Sequence, residues 1–200
     1  MHKMILGALA MAVCLLLSAP ATMAAEMSDV TLPDTMNVEN TDLVLNGLGL
    51  REKFFIDIYV GALYLPAKSS DAQTILATDQ VRHMIMAFVY DVDKESINDA
   101  WYECLEDNTP EHGPELKTKF DQLASFMTDI EEGGQFVFSY IPAKGTSVEI
   151  WQGEMGSAER TGQVKGIIQG KDFSDALLKC WIGPEPGPGE SFKEEILGLD

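Results

Sequence analysis

Phe54 to Leu65, FFIDIYVGALYL, narrows the folds open to this chain more than any other segment. Its β-branched and aromatic residues predict a strand, closed by Pro66. One face of that strand carries Phe54, Ile56, Ile58, Val60 and Ala62, all apolar. The other carries Phe55, Asp57, Tyr59, Gly61 and Leu63, a mixed set that either lines a cleft or meets water. Just upstream, Leu43, Leu45 and Asn46-Gly47-Leu48-Gly49 predict a strand that bends or bulges at its glycines.

The rest of the chain supplies partners for that sheet. Ser69 to Thr78 predicts a short helix capped by Ser69 or Ser70, and Val81 to Val92 a further strand. Asp93 is placed to cap a helix whose body is Ser96 to Glu106, with Ile97, Ala100, Trp101, Cys104 and Leu105 on one stripe. Glu115 to Ile130 predicts a second helix. Gln135 to Tyr140 and Ser147 to Gln152 form a hairpin across Pro142 to Gly145, and Gln163 to Gln169 adds a strand. Phe173 to Ile182 reads as a helix stopped by Gly183-Pro184. After the turn PEPGPGE comes a short final helix stapled by Phe192, Ile196 and Leu197. Strands and helices are segregated, so the class is α+β, a largely antiparallel sheet backed by helices.

Residues 1–25 read as a secretory leader: Lys3, an uncharged apolar run from Met4 to Leu17, then small residues to a cleavage point near Ala24 or Ala25. That run is shorter than the roughly 20 residues a membrane span needs. The expectation is a periplasmic or secreted protein, with residues 26–200 as one domain and no stable membrane span after cleavage. The whole chain carries 32 acidic against 14 basic residues, net −18. Without Lys3 the remainder carries −19. Such a balance argues against a nucleic-acid or anionic-membrane surface, because both need clustered Lys and Arg.

The search for chemistry mostly excludes. Gly47-Leu48-Gly49 is a lone GxG without a following helix, so no dinucleotide site is expected, nor any other cofactor. Scattered Cys and His exclude a structural zinc site, and no metal is expected. His83 and His112 read as structural or solvated. Cys104 and Cys180, the cysteines beyond the leader, either pair in an oxidising compartment or stay buried as small hydrophobes. Arg51 stands apart. It follows the glycine-bent segment and precedes the strand carrying Tyr59, so antiparallel neighbours would set a guanidinium beside a phenol. That pair grips a carboxylate or an enolate oxygen. The competing reading pairs Arg51 with Glu52 or Asp57 at the surface.

Two stretches carry a resemblance. NGLGLREKFFIDIYVGALYLP resembles the opening signature of the chalcone isomerase-like family. YIPAKGTSVEIWQGE followed by GIIQGKDFSDALLKCWIG is similar to its closing signature, and together they span about Val30 to Leu197. The resemblance implies that family's open-faced β-sandwich, a curved antiparallel sheet with helices packed on one face and a ligand cleft between. Its bacterial exported branch is the nearest match.

In the true isomerases an Arg polarises the carbonyl, and Arg51 matches it by its place in the signature. Other positions depart: Tyr59 stands where they keep a Thr, Cys180 where they keep a Thr or Ser, and Asp93 and Ala100 where they place a Tyr and an Asn. Tyr90, Asn98 and Tyr102 lie nearby without landing on the matching turn. The fatty-acid-binding members keep both the Arg and a strand Tyr. The resemblance therefore implies a non-catalytic binder of a fatty acid or similar small apolar or amphipathic acid, at a site of Arg51, Tyr59, Cys180 and Trp181. One alternative is an isomerase, an intramolecular lyase acting on a chalcone-like enone through Arg51. The other is an interaction protein whose cleft is filled by Trp101, Trp181 and Phe120, with Arg51 buried against a carboxylate such as Asp57.

Overall fold

Consecutive antiparallel pairing builds the main sheet, so every neighbour in space is a neighbour in sequence. The structure is a computed structural model and describes residues 24–199. The expected leader lies outside the described residues apart from Ala24 and Ala25. β1 (Ala24–Met27) and β2 (Val30–Pro33) form a separate ribbon. The seven-stranded sheet runs β3 (Thr35–Val38), β4 (Thr41–Lys53), β5 (Ile56–Leu65), β6 (Arg82–Phe88), β7 (Gln135–Ile141), β8 (Gly145–Gln152) and β9 (Thr161–Ile168). Helix α1 (Ala72–Ala77) joins β5 to β6, and α2 (Lys94–Asn108) and α3 (Pro114–Phe126) join β6 to β7. After β9 come α4 (Lys171–Ile182) and α5 (Glu190–Ile196). This is the α+β arrangement the segregated pattern predicts.

Both faces of the sheet are covered, and alternation along β5 sorts its side chains between them. Tyr59, Leu63 and Leu65 meet the helices, beside Trp101, Phe120 and Trp181. Val60, Ala62 and Tyr64 face the other way and pack with Val30 and Leu32 of the ribbon. The face that reads as mixed is thus the helix side.

The boundaries differ from the expected ones where local competition decides. Phe54 and Phe55 do not begin β5; they are the turn itself, both at positive φ (52° and 66°). Asp71 rather than a serine caps α1, accepting from the backbone N–H of Gln73 and Thr74, because a carboxylate outbids a hydroxyl for those donors. α3 stops at Phe126. Beyond it Ile130 exchanges both backbone hydrogen bonds with Val92, which draws the chain out of the helix and ends β6 at Phe88.

The glycines of β4 have a purpose the sequence alone did not reveal. α5 lies directly on them. A Cβ at Gly47 would collide with the backbone carbonyls of Glu195 and Ile196, and one at Gly49 or at its cross-strand partner Gly61 would enter the Phe192 ring. The expected bulge is present at Asn46, which the β4–β5 register skips. Its side chain turns inward, donating to the carbonyl of Ile196 (2.9 Å) and accepting from the backbone N–H of Ser69 (2.7 Å). Glu195 completes the clamp by accepting from the Leu50 N–H. Replacing Gly47 by Ala should destabilise the fold by about 1–3 kcal/mol, since the obstruction is backbone and cannot rotate away. Urea denaturation monitored by circular dichroism measures it; an unchanged midpoint would show that α5 does not depend on this approach.

Candidate functional site

β4 and β5 bring Arg51 and Tyr59 opposite each other as cross-strand partners, so both belong to the helix side of the sheet. The register then slips by one residue, leaving Ile58 unpaired with β4 and placing Glu52 across from Asp57. Asp57 does not neutralise Arg51; its carboxylate accepts from the Ser28 hydroxyl (3.0 Å). Arg51 is half-buried and makes no hydrogen bond or ion pair among the described residues.

Tyr59 is buried (8% exposed), and its hydroxyl accepts from the Trp181 indole N–H at 3.1 Å. Phe88 of β6 and Phe192 of α5 flank its ring at centroid distances of 5.6 and 5.9 Å. Burial pushes the phenol well above its ordinary range, against the smaller opposing effects of the Trp181 hydrogen bond and the Arg51 charge. Tyr59 is therefore a neutral phenol, not a phenolate base.

Trp181 in turn packs edge-on against Trp101, with Phe138 beneath both. Cys180 is joined to Cys104 of α2 by a disulfide with a Cα–Cα distance of 5.3 Å. The sequence-predicted residues Arg51, Tyr59, Cys180 and Trp181 thus share one neighbourhood, but Cys180 is committed to a covalent bond. Asp93, aligned with an isomerase tyrosine, caps α2 by accepting from Ser96 N–H (2.8 Å), and Ala100 is exposed. Tyr102 donates to Asp121 on α3.

Space beneath the helices is scarce. Beside Trp181 a cavity of about 20 Å³, room for one water, is lined by Arg82 and Thr146, among others. Arg82 Nε and Thr146 Oγ1 are buried there without a protein partner. Sequence reasoning passed over Arg82, although an arginine opening the largely apolar strand β6 was the signal. It is 3% exposed, pairs with Asp175 of α4 at 2.6 Å and donates to three carbonyls at the end of α1. Reasoning also missed that Phe192 roofs the site; the paired glycines 49 and 61 were its signature. An open groove of about 450 Å³ near the β1–β2 turn is lined by Asp29, Asp57, Glu132 and Glu154, the wrong sign for an acid. His83, which reads as structural or solvated from the sequence, is buried and hydrogen-bonded to Ser139, and burial lowers its pKa to about 4.

A sequence model described as chalcone isomerase-like matches residues 24–198. The chain belongs to the chalcone isomerase-like family. Among solved structures, the fold is similar to that of the fatty-acid-binding protein of Arabidopsis thaliana, with a TM-score of 0.64. Identity is 15%, and the alignment covers 88% of this chain and 97% of that one. No curated protein sequence matches the chain. The glycine-rich stretch Asn46-Gly47-Leu48-Gly49 forms the seat of α5, with Arg51 at its edge.

Tyr59→Phe should cost about 1–3 kcal/mol, because it strands the buried Trp181 N–H. Adding Trp181→Phe should cost less than the two single losses combined, which a double-mutant cycle in urea measures. Strict additivity would mean that the hydroxyl and indole do not interact.

Proposed function

We propose that the protein is an exported, non-catalytic member of its family that binds a small apolar acid with the carboxylate on Arg51. One observation carries this reading: Arg51 is a half-buried cation on the inner face, beside a neutral phenol, with no anion against it among the described residues. A carboxylate supplies the missing partner through a forked, charge-assisted contact of about 1.5–3 kcal/mol. The likeness to a protein named for fatty-acid binding supports the ligand class.

The alkyl chain requires room that side chains now fill. Phe192 is the α5 side chain that flanks Tyr59, and its helix follows the Pro- and Gly-rich segment 184–189. Lifting that ring off its glycine floor costs about 3–5 kcal/mol, by analogy with losing a buried Phe. At about 0.8 kcal/mol per buried methylene, roughly four to six methylenes offset it. Binding should therefore set in only at acids of about six to eight carbons. Turnover of an enone lacks support: Tyr59 cannot serve as a base, and Cys180 offers no hydroxyl. Export is supported by the leader-like residues 1–25 and by the Cys104–Cys180 disulfide, a bond at home in oxidising compartments.

A second reading, a permanently self-filled cleft, is favoured by the Tyr59–Trp181 hydrogen bond and by the smallness of the cavity beside it. Trp101 and Trp181 do the filling there, and Arg51 is not buried against Asp57 as that reading expected.

Thermal denaturation with straight-chain acids of six to sixteen carbons separates the two. The acid-binding reading expects Tm to rise with chain length in wild type and to stay flat in Arg51→Ala or with methyl esters. No shift at any length, with no bound mass in native mass spectrometry, leaves the self-filled scaffold. Thiol counting on unreduced, denatured protein from the periplasmic fraction tests export: two free thiols there contradict it.

A further inference from the structure

Among the described residues, three two-residue hairpin turns place both central residues at positive φ: Ser28-Asp29, Glu39-Asn40 and Phe54-Phe55. Such turns favour Asn, Asp and Gly, because a Cβ in the left-handed region crowds the backbone. The first two include Asp29 and Asn40, residue types that tolerate this conformation. The third holds two phenylalanines, residues that ordinarily avoid it, and exposes them almost completely (85% and 99%). Ile56 beside them is 42% exposed. Local strain and apolar exposure thus coincide at one tip, and neither is repaid by packing among the described residues.

The tip also projects. β3 pairs with β4 only over Thr41–Val44, and β6 pairs with β5 only from Tyr59 inward. Glu52 to Asp57 therefore extend past the strands on both flanks. The charges of this hairpin balance one another. Arg51, Glu52, Lys53 and Asp57 sum to zero, in a chain carrying −18.

We propose that the Phe54–Phe55 tip inserts into the interface of an electrically neutral lipid bilayer. A convex, two-ring protrusion suits a deformable apolar medium, and aromatic rings favour the headgroup boundary. Zwitterionic lipid is the surface a net-neutral finger approaches without penalty. Anionic lipid repels the acidic body behind it within a Debye length. The proposal stands apart from acid binding: vesicle docking needs no acid, so either reading can fail alone.

Phe54→Asn/Phe55→Gly replaces the rings with the pair this turn prefers, so the test does not depend on a damaged protein. Wild type and variant, purified identically, are sedimented with phosphatidylcholine vesicles and with phosphatidylglycerol vesicles at low salt. Wild type should bind phosphatidylcholine more strongly than phosphatidylglycerol. The double variant should lose at least tenfold in partitioning while its Tm rises by roughly 2–5 °C. Val164→Ser, which removes an exposed apolar side chain on β9, should bind like wild type. Absent wild-type binding, undiminished binding by the double variant, equal loss in Val164→Ser or a preference for phosphatidylglycerol would each overturn the proposal. Absent binding would leave the tip to an apolar pocket on a protein partner.

Discussion

The approach of α5 to bare backbone on β4 and β5 organises the helix side of this protein. Gly47, Gly49 and Gly61 remove the side chains that would hold the helix away, and Phe192 occupies the space they vacate. Asn46, expelled from the ladder by a bulge, points its amide at the carbonyl of Ile196 and accepts from Ser69. Glycines alone would weaken a strand through backbone entropy and lost packing. Here an aromatic ring from elsewhere in the chain restores the packing, and Asn46 and Glu195 satisfy polar groups at the seam. Tyr59 depends on the same contact, because Phe192 is one wall of its environment and Trp181 the other.

Burial on that scale shapes what the site can do. A phenol shielded from water by Phe88, Phe192 and Trp181 keeps its proton, and its oxygen already accepts from an indole. Arg51 sits one strand over and is only half-buried, so its charge costs less to hold. The pair is consequently asymmetric, a fixed neutral group inside and a charged, partly solvated group at the rim. This arrangement suits anchoring a headgroup at the edge of an apolar space better than it suits proton transfer. The Cys104–Cys180 disulfide ties α2 to α4 next to Trp181. It limits how far those helices can separate.

Much of this was legible in the sequence, and the failures are instructive. Period-two and helical spacing located the strands from β4 onward and the helices, because those patterns reflect burial within a single element; the four-residue strands β1 to β3 are too short to show a period. Phe54-Phe55 misled for the same reason: β propensity in a window of apolar residues pointed to strand, whereas the two-residue connection was set by the pairing of β4 with β5. The cap of α1 went to Asp71 because an acid competes better for two N–H groups than the nearby serines. Arg51 and Tyr59 were identified through neighbouring strands, a relation that register makes visible. The role of Phe192 was hidden because it joins residues more than 130 positions apart, and no local period encodes that contact.

What the sequence did contain was the negative image of that contact. Glycine is a poor strand residue, and Gly49 faces Gly61 directly across the ladder. Two such weaknesses in register make sense only if something large must come close, and the chain's last helix brings a phenylalanine to that place. The same logic applies at the far end of the same hairpin, with the opposite outcome. There Phe54 and Phe55 hold a conformation that favours glycine, and no element of the described structure comes to cover them. At one end of the hairpin a local cost is balanced by an internal contact; at the other it is unbalanced among the described residues. A feature of the second kind points outward, to something the chain meets rather than something it contains.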